Sequence, residues 1–98
     1  LADNLADTRR WVRETLGDLA RDTAGDARLR ETLRAFLQEG ASYTAAATKL
    51  MLHPNSVRYR VNRAVERRGR PIGDDRLDVE LALLACSHFR QAVLAPAG

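Results

Sequence analysis

Between His53 and Gly69 the sequence marks out one helix so sharply that the rest of the chain must be arranged about it. His53 can occupy the N-cap, although Ser, Thr, Asp or Asn would cap better. Pro54 suits the first helical position, where its missing N–H costs nothing and its fixed φ favours the helix. Val57, Val61, Ala64 and Val65 follow at i, i+4, i+7 and i+8, a single apolar stripe. At about 100° per residue, Asn55, Tyr59, Asn62 and Arg63 fall on or near the opposite face, with Arg58 and Arg60 on the flanks. The helix is expected to end at Arg68, with Gly69 supplying the left-handed residue after it.

Charge singles out the same stretch. Residues 1–52 hold eight basic and eight acidic side chains. Residues 53–70 hold six arginines (58, 60, 63, 67, 68, 70) against Glu66, a local charge of +5 out of a net +3 for the chain. Residues 71–98 hold two basic and four acidic side chains. A basic excess confined to one helix and its exit is the footprint of a polyanion partner. A solvated cationic face is the plainer reading of a charge run taken alone.

The chain has 98 residues, 45% apolar and 30% charged, which suits one small globular domain with a modest core. Its apolar runs are too short to span a bilayer, and no signal-peptide pattern is read at its start. It begins on Leu1 and is expected to be part of something longer. Cys86 is the only cysteine. An internal disulfide is therefore impossible, and no Cys/His cluster at ligand spacing suggests structural zinc. A reducing, cytoplasmic setting is expected.

Upstream of the basic helix, residues 3–21 carry a helical stripe of Val12, Leu16, Leu19 and Ala20, with Leu5 and Trp11 near its edges. Asp3 is the expected N-cap. Gly17 weakens this run by about 1 kcal/mol relative to Ala and marks where it can break. Residues 22–27 are turn-rich, and Asp26 is expected to cap a second helix over about 27–39 with Leu29, Leu33, Phe36 and Leu37 inward. Gly40 stops it. Residues 1–26 thus read as an entry helix and linker, and 27–98 as the main domain.

Ser42 is a good N-cap for a two-turn helix, Tyr43 to Leu50, with Tyr43, Ala46, Ala47 and Leu50 inward. The two alanines allow a second helix to cross closely at a steep angle. Met51 and Leu52 make the turn, and the capped basic helix follows. This is helix-turn-helix spacing, in which the second helix enters the major groove. Met51 stands where many such turns carry Gly and must bear any left-handed strain itself. Without the charge, an ordinary helical hairpin would serve as well.

Downstream, residues 69–75 form a loop whose one apolar residue, Ile72, is expected to tuck into the core. Asp74 or Asp75 can cap a last helix over about 76–94, with Leu77, Leu81, Leu84 and Ala85 as its core stripe. Val79, Ala82, Leu83, Cys86 and Phe89 make that helix apolar around most of its girth. It is expected to pack on the first helix, on a dimer partner, or on both. The residues around Pro96 are expected to fray. The fold class is all-α: a small domain of about five helices with a central helix-turn-helix.

Residues 29–89 resemble the C-terminal helix-turn-helix domain of PucR/CdaR-type bacterial transcriptional regulators. The likeness lies in Leu29-x-x-x-Leu33-Arg34-Ala35-Phe36-Leu37 and in Ala46-Ala47-x-x-Leu50. It is strongest in His53-x-Asn55-Ser56-Val57-Arg58-Tyr59-Arg60-Val61. After the motif come Gly69 and Asp75-Arg76-Leu77-x-x-x-Leu81-Ala82-Leu83. The family pattern is His-(Arg/Lys)-Asn-Thr-Val-Arg-Tyr-Arg-Leu, so Pro54 replaces a basic residue and a phosphate contact with it. The resemblance implies the DNA-binding end of a longer regulator whose N-terminal region senses a ligand. It also implies action as a homodimer or higher oligomer on paired half-sites of double-stranded DNA.

On this reading Arg58, Arg60 and Arg67 neutralise phosphates from the flanks of the helix. Asn55, Ser56, Tyr59, Asn62 and Arg63 face the base edges, and Ser42 and Tyr43 face the backbone. Each has a plainer role as cap or surface residue. A rival class is a helical interaction module binding an acidic protein partner, which the greasy last helix favours. RNA binding is weaker, for want of stacking aromatics. No nucleophile–base pair, paired carboxylates or phosphate-cradling glycine loop suggests an enzyme, and no cofactor is implied.

Overall fold

The computed structural model describes residues 2–97, with side chains from residue 4. Five α-helices follow one another: α1 (Ala2–Leu16), α2 (Ala24–Gln38), α3 (Tyr43–Leu50), α4 (Pro54–Arg68) and α5 (Arg76–Phe89). Short 3₁₀ turns, Gly17–Ala20 and Arg90–Ala92, follow α1 and α5. Among the described residues there is no strand, only one isolated parallel bridge between Arg21 and Ala95. The all-α expectation of about five helices holds.

One hydrophobic core runs through the chain. Val12, Leu16, Leu19 and Ala20 from the first 26 residues are fully buried with Leu33, Ala46, Val57, Ala64, Val79 and Ala82 from the remainder. The stripes read for the first and fourth helices are therefore the ones that turn inward, except that Val65 is only half-buried. Leu5 stays exposed, and Trp11 packs half-buried against the core.

The first helix stops at Leu16 rather than 21, and Gly17 is the reason. Its φ is +58°, a left-handed conformation that ends the α-helix, and a Cβ there would lie 2.5 Å from the Arg68 carbonyl oxygen. The absence of a side chain lets the end of α4 press against the end of α1. Asp3, expected as a cap, lies inside the first turn, and its side chain is outside the described residues.

Four further expectations are corrected. The α2 helix is capped by Thr23, not Asp26: the Thr23 hydroxyl accepts from the Asp26 N–H at 2.9 Å, so α2 begins at Ala24. Asp75 does precede α5, but its carboxylate does not cap it, because it accepts from the Gly73 N–H at 3.1 Å and from Arg68. The last helix ends at Phe89 rather than 94. Val93 and Leu94 then turn back into the core, and the tail is tied rather than frayed there: Asp22 N–H donates to the Ala95 carbonyl at 2.7 Å, and Ala95 N–H to that of Ala20 at 2.9 Å.

The core face of α5 is also the reverse of the one expected. Val79, Ala82, Leu83 and Cys86 are buried, whereas Leu77 is 66%, Leu81 46% and Leu84 36% exposed; Ala85 is half-buried. Both stripes have helical spacing and lie half a turn apart. Steric fit decides between them. The smaller Val79, Ala82 and Cys86 let α5 sit close against α1 and α2, which a leucine row would hold apart.

Candidate nucleic-acid interface

The α3–turn–α4 unit follows its local signals closely. Ser42 caps α3, its hydroxyl accepting the Ala45 N–H at 3.1 Å. Met51 takes the left-handed conformation, φ 58° and ψ 44°, and its N–H closes the helix on the carbonyls of Ala47 and Thr48. The Met51 side chain is 90% exposed, so nothing packs to offset the strain. His53 caps α4 through Nδ1, which accepts the Asn55 N–H at 3.0 Å. Pro54 starts the helix, and Gly69, at φ 94°, ends it.

Packing fixes which way α4 faces. Val57, Val61 and Ala64 lie against the core, and Ala46 and Ala47 of α3 bring the two helices together without an intervening large side chain. The opposite face carries Asn55, Arg58, Tyr59, Asn62 and Arg63 into solvent, with Ser56 and Arg60 half-buried at its edges. Tyr59 is 69% exposed.

Tyr43 sits beneath this face. Its ring stacks on Phe36 with centroids 4.7 Å apart, and the Arg58 guanidinium lies 4.3 Å above the ring centroid. The phenol therefore acts as a platform that holds Arg58 along the flank of α4. Arg63 is paired to Glu66 at 3.2 Å, one turn along the same face.

The six arginines of residues 53–70 do not form one patch. Arg67 turns away from the outer face and grips Asp26 of α2 side-on, Nε to Oδ1 and Nη2 to Oδ2, both at 2.9 Å. Arg68 is buried and donates to the carbonyls of Thr15 at 2.7 Å and Pro71 at 2.9 Å, and to Asp75. Arg70 reaches the Glu14 carbonyl at 3.2 Å and lies 3.7 Å from Asp75. Three of the six thus fasten the end of α4 to α1, α2 and the following loop. Arg58, Arg60 and Arg63 remain on the outer face.

Asp26 shows what this arrangement does to charge. Its side chain is 5% exposed, and burial alone would raise its carboxyl. Hydrogen bonds from Arg67 and Thr23, with the charges of Arg67 and Arg30, outweigh burial and hold it below the ordinary carboxylate range. Sequence spacing missed this pair because its partners are 41 residues apart; a lone Asp in a turn reads as a cap. Among the described residues, no three His, Cys, Asp or Glu side chains stand where they could hold a metal ion. No helix among them is long and apolar enough to cross a membrane.

A short capped helix, a tight left-handed turn and a second helix held by its buried valines define a helix-turn-helix protein, a class built to present one helix to DNA. More narrowly, the chain belongs to the PucR C-terminal helix-turn-helix domain family, whose model matches residues 29–85. That membership points to DNA binding within a transcriptional regulator. The chain is 39% identical over 44 residues to protein YxkF of Bacillus subtilis (strain 168), covering 45% of this chain and 15% of that one. It is 42% identical over 57 residues to a protein in the pkwA 5' region of Thermomonospora curvata, covering 58% and 32% respectively. It is 50% identical over 40 residues to protein Rv2242 of Mycobacterium tuberculosis (strain ATCC 25618 / H37Rv), covering 41% and 10%. The chain therefore spans about a third or less of the length of these relatives. No solved structure matches it.

Proposed function

We propose that this chain is the sequence-specific DNA-binding part of a bacterial transcriptional regulator, with α4 lying in the major groove of double-stranded DNA. The observation that carries this is the outward set on α4: Asn55, Tyr59, Asn62 and Arg63 project from a helix whose other face is locked into the core. Asn55, Ser56 and Tyr59, at the N-terminal end that enters the groove deepest, are the first candidates for base edges, followed by Asn62 and Arg63. Arg58, held over Tyr43, and Arg60 contact phosphates. Ser42 and Tyr43 bring the N-terminal end of α3 to the backbone. Arg67 we assign to the fold rather than to phosphate, because Asp26 engages both Nε and Nη2 of its guanidinium.

The relatives' greater length and the C-terminal place of the family's domain support a position at one end of a longer regulator, to whose remaining part we assign ligand sensing in the cytoplasm. The unpartnered leucines of α5 support a second copy of the chain as their cover. Acidic Asp74, Asp78 and Glu80 outnumber Arg76 at one end of α5, and Arg90 stands just past the other. An antiparallel pairing of two copies would set opposite charges and opposite helix dipoles side by side while burying Leu77, Leu81 and Leu84. The feature that favoured an interaction module thus becomes a dimer contact.

Selection of bound sequences from random duplex DNA tests the proposal. A defined motif, repeated at a fixed half-site spacing, is the expected result. Recovery of unenriched sequence would reject specific readout.

A further inference from the structure

A cleft of about 350 Å³ opens between the start of α2 and the outer face of α4. Its wall on the α4 side is Tyr59, Arg60 and Arg63, with Arg67 at the far end. Its wall on the α2 side is Gly25, Arg28 and Leu29. Nothing in the spacing of the helix-turn-helix points to Arg28, which lies in α2, two elements before the recognition helix.

The charges around this cleft are not equivalent. Arg67 is neutralised by Asp26, and Arg63 shares its charge with the exposed Glu66. Among the described residues no carboxylate pairs with Arg28 or Arg60. Two uncompensated guanidinium groups therefore face one concave space, and a third sits at its edge. Such a site fits a compact anion able to accept several N–H donors at once, which describes a phosphate oxygen set better than a carboxylate side chain. The only carboxylate on its lining, Asp26, is already committed to Arg67 and Thr23.

We infer that this cleft is a phosphodiester site in which Arg28 of α2 joins Arg60 of α4 to grip the DNA backbone at the edge of the major groove, with Arg63 at the rim left to the base edges. The site rests on the proposed seating of α4 and adds to it a contact from outside the two helices of the motif. Its consequence is mechanical as well as electrostatic. A phosphate held between α2 and α4 fixes the tilt of α4 in the groove, because both walls belong to helices tied together by the Asp26–Arg67 pair.

The test is DNA binding by the 98-residue chain, followed by fluorescence anisotropy of a labelled duplex over a range of salt concentrations. Arg28→Ala is expected to weaken binding several-fold on every sequence and to make the slope of log affinity against log salt shallower by about 0.9, the contribution of one phosphate. Arg13→Ala, which removes an exposed arginine of α1, is the control and should change neither. Replacing single backbone phosphates by neutral methylphosphonates should reveal one position whose loss weakens the parent chain but costs the Arg28→Ala variant nothing further. If Arg28→Ala matches the parent while Asn55→Ala and Arg58→Ala lose affinity, the cleft is not a backbone site and the seating of α4 stands. If the parent binds no duplex, both fall together. Inorganic phosphate at matched ionic strength should compete no better than chloride; phosphate-specific competition that vanishes in Arg28→Ala would assign the cleft to the free anion and overturn the inference.

Discussion

The Arg67 guanidinium meets the Asp26 carboxylate along two parallel hydrogen bonds of 2.9 Å, joining the first turn of α2 to the last turn of α4. Arg67 also donates to the Asp18 carbonyl at 3.2 Å, so the junction includes the 3₁₀ turn after α1. This clamp aligns α4 without touching its outer face. Asp26→Asn is expected to cost about 2 kcal/mol in urea unfolding, since it leaves a half-buried guanidinium without its charged partner. Arg67→Ala should destabilise similarly and leave the salt dependence of DNA binding unchanged. A shallower salt slope would mean that Arg67 contacts phosphate.

The same pair sets an acid limit on stability. The Asp26 carboxyl is held below its unfolded value of about 3.9, so its contribution is complete above that pH and is lost as pH falls through the lower folded value. The Asp75 carboxyl, depressed first by the Gly73 N–H and then by Arg68, acts in the same direction. Unfolding free energy followed from neutral to acid pH should therefore fall less steeply in Asp26→Asn than in the parent. Superimposable slopes would show that the pair is not coupled to folding.

Gly17→Ala is expected to be among the most damaging single-methyl additions in the chain. It combines a left-handed φ of +58° with a Cβ placed 2.5 Å from a backbone oxygen of Arg68. The conformational and steric terms together amount to about 3 kcal/mol, measurable as a lowered denaturation midpoint.

Met51→Gly should move stability the other way. Met51 pays the left-handed cost with a side chain that is 90% exposed, so removing it sacrifices little packing. A gain of up to about 1 kcal/mol is expected after the extra chain entropy of glycine is set against the relieved strain. A loss would show that the extra chain entropy of glycine outweighs the relieved strain.

Local chemistry made the motif legible in the sequence. Ser42, His53, Pro54 and Gly69 act within one turn of the helix ends they define, and the Val57–Val61–Ala64 stripe needs only its own periodicity. What the sequence concealed depends on partners distant along the chain. Arg58, Arg67 and Arg68 look alike as letters, yet one rests on Tyr43, one grips Asp26 and one is buried against Thr15. The orientation of α5 was hidden for a related reason. Its two apolar stripes differ in bulk rather than in hydrophobic spacing, and only the closeness of α1 and α2 selects the smaller.

That exposed leucine face yields a prediction about assembly. Leu81→Glu should leave the fold intact, because Leu81 is 46% exposed. It should abolish cooperative binding to a duplex carrying two half-sites while sparing a single half-site. Undiminished cooperativity would contradict the proposed pairing through α5.

The proposed seating of α4 in the groove is tested most directly by titrating the isotopically labelled chain with a duplex two helical turns long and mapping the backbone amide shifts. The expected result is a continuous set of perturbed residues from Asn55 to Arg63, together with Ser42 and Tyr43 at the start of α3. Perturbation confined to the Leu77–Leu84 face of α5, with Asn55 and Tyr59 unmoved, would contradict the account.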